Sequence, residues 1–146
     1  MAGAFAELDW RRLDVWAVIE HRGVHELTEE KRVASLSWLK AESYEVVTLD
    51  FSNGISPVVK QLGELFKWPE QFGYELSADS RNLDALRDGF DVPFTDAGRF
   101  ALELVQFERA RAEDSHWATG FLEIVSEMSL RELALGRRLF AMIGVL

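Results

Sequence analysis

Apolar and polar positions along the chain alternate between two patterns, one typical of strands and one typical of helices. Two stretches rich in β-branched and aromatic residues, Leu13 to Glu20 and Tyr44 to Phe51, are predicted as strands. Between them, apolar residues recur at helical spacing from a predicted N-cap at Thr28 to about residue 41. The first part of the chain therefore predicts a strand, a helix and a second strand.

The rest of the chain predicts three more helices and two more strands. In the first helix, Ser56 is the predicted N-cap and Pro57 the first helical residue, and Trp68 with Pro69 ends it before a polar loop. The loop is expected over Glu70 to Ser80, the other two helices over Arg81 to Phe90 and Trp117 to Leu135, and the strands over Phe100 to Val105 and Leu139 to Leu146.

The order of these elements predicts the fold class. Strands that alternate with helices indicate an α/β architecture, and the continuously apolar last run is typical of a strand buried on both faces of a parallel sheet. A chain of 146 residues closes one sizeable core. We therefore expect a single domain, residues 1–146, with a small parallel β-sheet packed with helices.

Three absences indicate a soluble cytoplasmic protein. Residues Met1 to Ala6 lack the basic start and the long apolar run of a secretory signal. The longest uncharged apolar run, Leu139 to Leu146, is far shorter than the roughly 20 residues of a membrane span. The chain has no cysteine, which fits a reducing compartment and excludes disulfides and thiolate sites.

The charge of the chain favours a basic partner. Acidic residues outnumber basic ones by 25 to 16, a net charge of -9, so direct binding to nucleic acid or to an anionic membrane is disfavoured. More than half of the excess lies in residues 69–96, which contain seven acidic and two basic residues.

Three aspartates of that segment share one side of a predicted helix. Asp84, Asp88 and Asp91 are spaced at i, i+4 and i+7. Like charges at this spacing cost a few tenths of a kcal/mol, and a rigid helix edge that carries carboxylates mimics spaced phosphates. The alternative interpretation is an ordinary solvated helix face.

Two short stretches resemble a known family. Residues 68–73 (WPEQFG) followed by 82–88 (NLDALRD) resemble the signature of the barstar family, intracellular protein inhibitors of barnase-type ribonucleases. The order of predicted strands and helices over residues 44–146 resembles that family as well. The resemblance implies a barstar-like core at 44–146 and an added N-terminal strand-helix unit at 1–43.

The resemblance also implies a site and a mechanism. Asp84 and Asp88 match the helix aspartates that enter the basic active site of the ribonuclease, and Glu127 is a looser match to a further acidic contact. Such an inhibitor blocks its enzyme without catalytic residues, a metal or a cofactor. The full predicted partner-binding set is Gln71, Phe72, Gly73, Tyr74, Asn82, Asp84, Arg87, Asp88, Asp91 and Glu127.

Three departures from the family pattern bear on the partner. Gln71 stands where the family has an aromatic residue, and Arg87 stands where it has a tryptophan, which puts a cation beside the acidic patch. The segment Tyr74 to Arg81 is an insertion that borders the predicted binding helix. We expect this insertion to retune or change the preferred partner. Phe72 and Tyr74 either replace the missing aromatic contacts or pack locally.

The histidines offer weaker candidate sites. His21 and His25 have a spacing that suits a metal site on a helix, although Gly23 between them favours a turn. His116 has acidic neighbours but no nucleophile at a recognisable spacing. We interpret all three histidines as exposed structural residues.

Three functions are compatible with these features. The first is an immunity or antitoxin protein that occludes the basic active site of a ribonuclease. The second is an acidic interaction module that neutralises a different basic toxin. The third is a hydrolase that uses Asp84, Asp88 and Glu127 with a divalent cation. The extra N-terminal unit enlarges the sheet, or else forms a second contact surface or a dimer interface.

Overall fold

A computed structural model describes residues 12–145 of the chain, and the segment Met1 to Ala6 and the predicted strand end at Leu146 lie outside them. The described part contains helices α1 (Leu13–His21), α2 (Glu29–Ala41), α3 (Ile55–Leu65), α4 (Trp68–Phe72), α5 (Leu83–Gly89), α6 (Phe107–Glu113) and α7 (Ser115–Ala134). Its strands are β1 (Val24–Thr28), β2 (Glu45–Asp50), β3 (Arg99–Val105) and β4 (Arg138–Val145).

The four strands form one parallel sheet in the order β1-β4-β3-β2. The two central strands, β3 and β4, are buried along most of their length, as expected for a sheet covered by helices on both faces. The predicted α/β class, a small parallel sheet packed with helices, is confirmed.

Alternation along the strands divides the core into two layers. One row across the sheet, Val24, Ala141, Leu102 and Val47, faces the larger cluster. The aromatic residues of this cluster include Phe51, Trp68, Trp117 and Phe121. The next residue of each strand faces the opposite side, where a smaller cluster contains Val15, Val18, Leu39 and Phe140.

The predicted strand at Leu13 to Glu20 is wrong, because this segment forms helix α1. Val15 and Val18 are fully buried whereas Trp16 and Ile19 are exposed, so the buried positions recur every three residues rather than every two. The β-branched residues fill the smaller core from a helix.

The strand that the N-terminal region adds to the sheet is β1, which pattern alone did not predict. Its five residues, VHELT, pair in parallel with β4 at the edge of the sheet. Residues 12–43 therefore contain a helix, a strand and a second helix, in that order. Thr28 is the N-cap of α2 as predicted, since its hydroxyl accepts a hydrogen bond from the Lys31 N–H at 3.4 Å.

Helix α3 begins earlier than predicted. Its N-cap is Gly54, not Ser56, and Pro57 lies at the third helical position. The Ile55 N–H donates to the carboxylate of Glu113 at 3.1 Å, so a residue of α6 caps the helix. Gly54 has φ 95°, and a Cβ there would lie 2.7 Å from Glu113 Oε1.

Two short helices were not predicted. Trp68 and Pro69 open α4 rather than only ending α3, so the predicted polar loop starts at Gly73 instead of Glu70. Helix α6 was also missed, whereas the bounds of the long helix α7 lie within two residues of the prediction. None of the helices within residues 12–145 is both long and apolar enough to cross a bilayer.

Candidate functional site

Helix α5 carries the two candidate aspartates on an exposed edge. The side chain of its N-cap, Asn82, accepts a hydrogen bond from the Ala85 N–H at 3.1 Å. Asp84 lies in the first helical turn, where the helix dipole favours a carboxylate, and its side chain is 93% exposed. Asp88 lies one turn later and is also exposed. Both carboxylates are therefore available to a partner.

Two glycines allow α5 to pack closely on its neighbours. Gly120 of α7 contacts the side chain of Leu83, and a Cβ at Gly120 would overlap with it. At the other end of α5, Gly89 lies against the ring of the buried Trp68, which leaves no room for a Cβ. Contacts at both ends fix the helix, so the exposed carboxylates stand on a rigid support.

Arg87 joins α5 to α7 and brings Glu127 to the same surface. Its Nε donates to Glu127 Oε2 at 2.8 Å, and its Nη1 lies 3.4 Å from Asp84 Oδ1. The hydrogen bond to Glu127 and the surrounding carboxylates raise the pKa of Arg87. One cation therefore stands among Asp84, Asp88 and Glu127, and the surface keeps a net negative charge. We call these four side chains the acidic surface.

Asp91 does not share this edge. Helix α5 ends at Gly89, because its C-terminal turn abuts Trp68 and the chain becomes extended at Phe90. Asp91 is exposed beyond the helix end and lines a different groove together with Arg131. The predicted alignment of three aspartates is wrong for the third.

Two exposed aromatic residues flank the C-terminal end of α5. Phe72 packs on Trp68 with ring centroids 4.7 Å apart, and Tyr74 lies 6.2 Å from Phe72. Their exposed fractions are 40% and 60%, respectively. Gly73 between them has φ 78°, a conformation that favours glycine and turns the chain. Trp68 contacts both Phe72 and Gly89, so the aromatic pair lies next to the end of α5.

Gln71 has a structural role where the family has an aromatic residue. Its Nε2 donates to the carbonyl of Phe66 at 2.7 Å and to the carbonyl of Gly89 at 2.9 Å. The side chain thus links the end of α3 to the end of α5. The side-chain amide of Gln71 therefore forms its hydrogen bonds within the protein.

The insertion Tyr74 to Arg81 folds back on α3. Leu76 packs against Gly63, where a Cβ would lie 2.9 Å from the Cβ of Leu76. The Arg81 guanidinium donates to the hydroxyl of Ser56 and to the carbonyl of Ala78, both at 2.9 Å. These contacts hold the insertion next to the start of α5.

One residue near the acidic surface, Glu123, was missed as a site candidate. Glu123 and His116 line a groove of about 520 Å³ together with Asp84 and Arg87. Glu123 and Glu127 are four residues apart on a helix that was predicted correctly. Their spacing was therefore a usable signal, because it places both carboxylates on one face.

The other two histidine candidates, His21 and His25, pack against neighbouring rings and do not form a catalytic arrangement. His21 ends α1 and His25 lies in β1, with ring centroids 4.8 Å apart. His25 is half-buried rather than exposed as predicted, since it packs against Phe140. No group of three or more His, Asp or Glu residues between positions 12 and 145 is arranged to hold a metal ion.

Comparisons with known proteins add no information about this site. No protein-family model, curated protein or solved structure matched the chain. The resemblance to the barstar family therefore rests on residues 68–73 and 82–88 and on the order of the elements around them.

Proposed function

We propose that this protein is a barstar-like inhibitor, an immunity or antitoxin protein that binds a basic ribonuclease and occludes its active site. The observation that carries the proposal is the rigid, outward edge of α5, on which Asp84 and Asp88 are exposed beside Glu127. The inhibitor acts by binding alone and uses no cofactor. The absence of cysteine fits action in the cytoplasm.

The chemistry of the target explains why carboxylates suit this role. A ribonuclease holds RNA phosphates with arginine, lysine and histidine side chains, and carboxylates accept charge-assisted hydrogen bonds from the same groups. Because close packing at Gly89 and Gly120 fixes both ends of α5, little backbone conformational entropy is lost when its carboxylates bind. Phe72 and Tyr74 add an exposed aromatic flank, which is typical of binding hot spots.

Replacing Asp88 tests both the function and the site. Wild-type protein is titrated into a barnase-type ribonuclease that cleaves a fluorescent RNA, and we expect stoichiometric inhibition. Asp88→Ala is expected to raise the inhibition constant by about 100-fold, because it leaves a buried cation of the enzyme without its partner. Glu30→Ala is the matched control, since Glu30 is exposed on α2, outside the acidic surface.

Two outcomes of this titration contradict the proposal in different ways. Failure of the wild-type protein to inhibit any ribonuclease of this type contradicts the function. Equal losses with Asp88→Ala and Glu30→Ala contradict the assignment of the site.

A second candidate function is neutralisation of a different basic toxin through the same surface. It is favoured by Arg87, which pairs with Glu127 within the protein instead of presenting an aromatic ring to a partner. A metal-dependent hydrolase is the weaker alternative, because the Arg87 guanidinium lies between Asp84 and Glu127, where a cation would have to bind.

A further inference from the structure

A groove continues from the acidic surface to the N-terminal part of the chain. It has a volume of about 780 Å³ and runs along α7, and its walls include Arg22, Val24, Arg87, Arg111, Glu127 and Leu130. Arg87, Thr119 and Glu123 line both this groove and the one beside Asp84. The two grooves are thus continuous, and the N-terminal helix and strand help to form the second.

The turn between α1 and β1 fixes the position of Arg22. Arg22 and Gly23 both have left-handed backbone conformations, with φ 56° and 80°. Gly23 is buried against Ser129 of α7, where a Cβ would overlap with the serine side chain. The turn therefore packs closely on α7, the helix that contains Glu127. Arg22 lines the groove, and its backbone conformation is constrained by this packing.

Arg22 differs from the other two arginines of the groove in its charge balance. Arg87 is paired with Glu127 and Asp84, and Arg111 with Glu26, at 3.1 Å, and with Glu108. Arg22 is exposed and, among the residues that the structure describes, has no ion pair or side-chain hydrogen bond. The groove thus offers a guanidinium that no carboxylate within residues 12–145 pairs with.

We infer that the N-terminal unit forms a second half of the partner-binding surface, and that the partner carries a carboxylate beside its basic site to pair with Arg22. The inference rests on the proposed inhibitor function. A guanidinium binds a carboxylate through two parallel hydrogen bonds, which gives directional selectivity. A partner without that carboxylate would leave the Arg22 charge desolvated and unpaired, so the groove selects among basic proteins.

The test compares variants of Arg22 on a ribonuclease that the wild-type protein inhibits, chosen from a panel of barnase-type enzymes. Arg22→Gln is expected to raise the dissociation constant about 10-fold, and Arg22→Glu by more than about 100-fold, because a like charge then faces the partner's carboxylate. Arg109→Gln is the matched control, since Arg109 is exposed on α6 and does not line the groove. Circular dichroism of each variant checks that it is folded.

The outcomes separate this inference from the proposed function. If Asp88→Ala relieves inhibition and folded Arg22→Glu binds as tightly as the wild type, the inference is wrong and the inhibitor function stands. If no enzyme of the panel is inhibited by the wild type, the function fails and the inference fails with it. If the isolated protein binds a fluorescent RNA oligonucleotide and Arg22→Gln weakens that binding, the groove binds phosphates and the inference is wrong.

Discussion

His25 illustrates how one side chain couples the stability of this fold to pH. Its Nε2 is buried and has no hydrogen-bond partner in the part of the chain that the structure describes. Burial lowers the pKa of His25, and the neighbouring His21 lowers it further. The folded protein therefore binds a proton at His25 less readily than the unfolded chain does.

This difference predicts a pH dependence of stability. Unfolded His25 takes up a proton near pH 6.5, whereas folded His25 stays neutral to lower pH, so its contribution is complete above about pH 6.5 and is lost as the pH falls through the folded pKa. Urea unfolding between pH 7.5 and pH 5 should show a decline that is shallower in His25→Gln. The exposed His116→Gln is the control, and identical slopes for wild type and His25→Gln would refute the assignment.

At the level of secondary-structure elements, the local sequence pattern predicted correctly those helices that contain their own cap or apolar periodicity. Helix α2 has its cap at Thr28, and α7 has a long apolar period with Gly136 in a left-handed conformation after its end. Helix α1 was predicted as a strand because its β-branched residues suit either structure, and only packing against the sheet decides between them. Strand β1 is short and polar, and it forms because it can pair in parallel with the edge of β4.

The candidate site was predicted only in part, because some of its features depend on local spacing and others on contacts between distant residues. The spacing of Asp84 and Asp88 already places both on one helix edge, as observed. The link from Arg87 to Glu127 depends on the docking of α5 on α7, a contact between residues 40 positions apart in the chain. The end of α5, which separates Asp91 from the other aspartates, depends on Trp68. The local sequence pattern contains no signal for the contact between Arg87 and Glu127 or for the contact between the end of α5 and Trp68.

The docking of α5 on α4 is tested by Gly89→Ala. The added Cβ would meet the rigid, buried ring of Trp68, so the end of α5 must shift, and the free energy of unfolding should fall by about 1–3 kcal/mol. Gly144→Ala is a matched control, because a Cβ there has its nearest contact at 3.6 Å, with Arg32. Urea unfolding followed by tryptophan fluorescence measures both, and equal stabilities of the two variants would contradict the account.

At the scale of the whole molecule, the sheet brings distant parts of the chain to one face of the protein. The layer that contains α5 and α7 carries the acidic surface, and a groove runs from that surface along α7 to the N-terminal helix and strand at the sheet edge. The chain has a net charge of -9, so its field attracts a basic partner before contact.

The net charge predicts salt-dependent association. Between about 0.05 and 0.5 M salt, the Debye length falls several-fold, and we expect the association rate with the ribonuclease to fall about 10-fold or more. The dissociation rate should change less, because the contacts in the complex are desolvated. Stopped-flow fluorescence measures both rates, and an association rate that does not depend on salt would exclude electrostatic steering.

If the protein occludes the active site of the ribonuclease, it competes with RNA for that site. Binding of the protein to the ribonuclease is measured at equilibrium while the concentration of an uncleavable RNA oligonucleotide is raised. If α5 enters the phosphate-binding site, the apparent dissociation constant rises in proportion to the RNA concentration. An apparent dissociation constant that stays unchanged at saturating RNA would show that both ligands bind together, and would contradict the account.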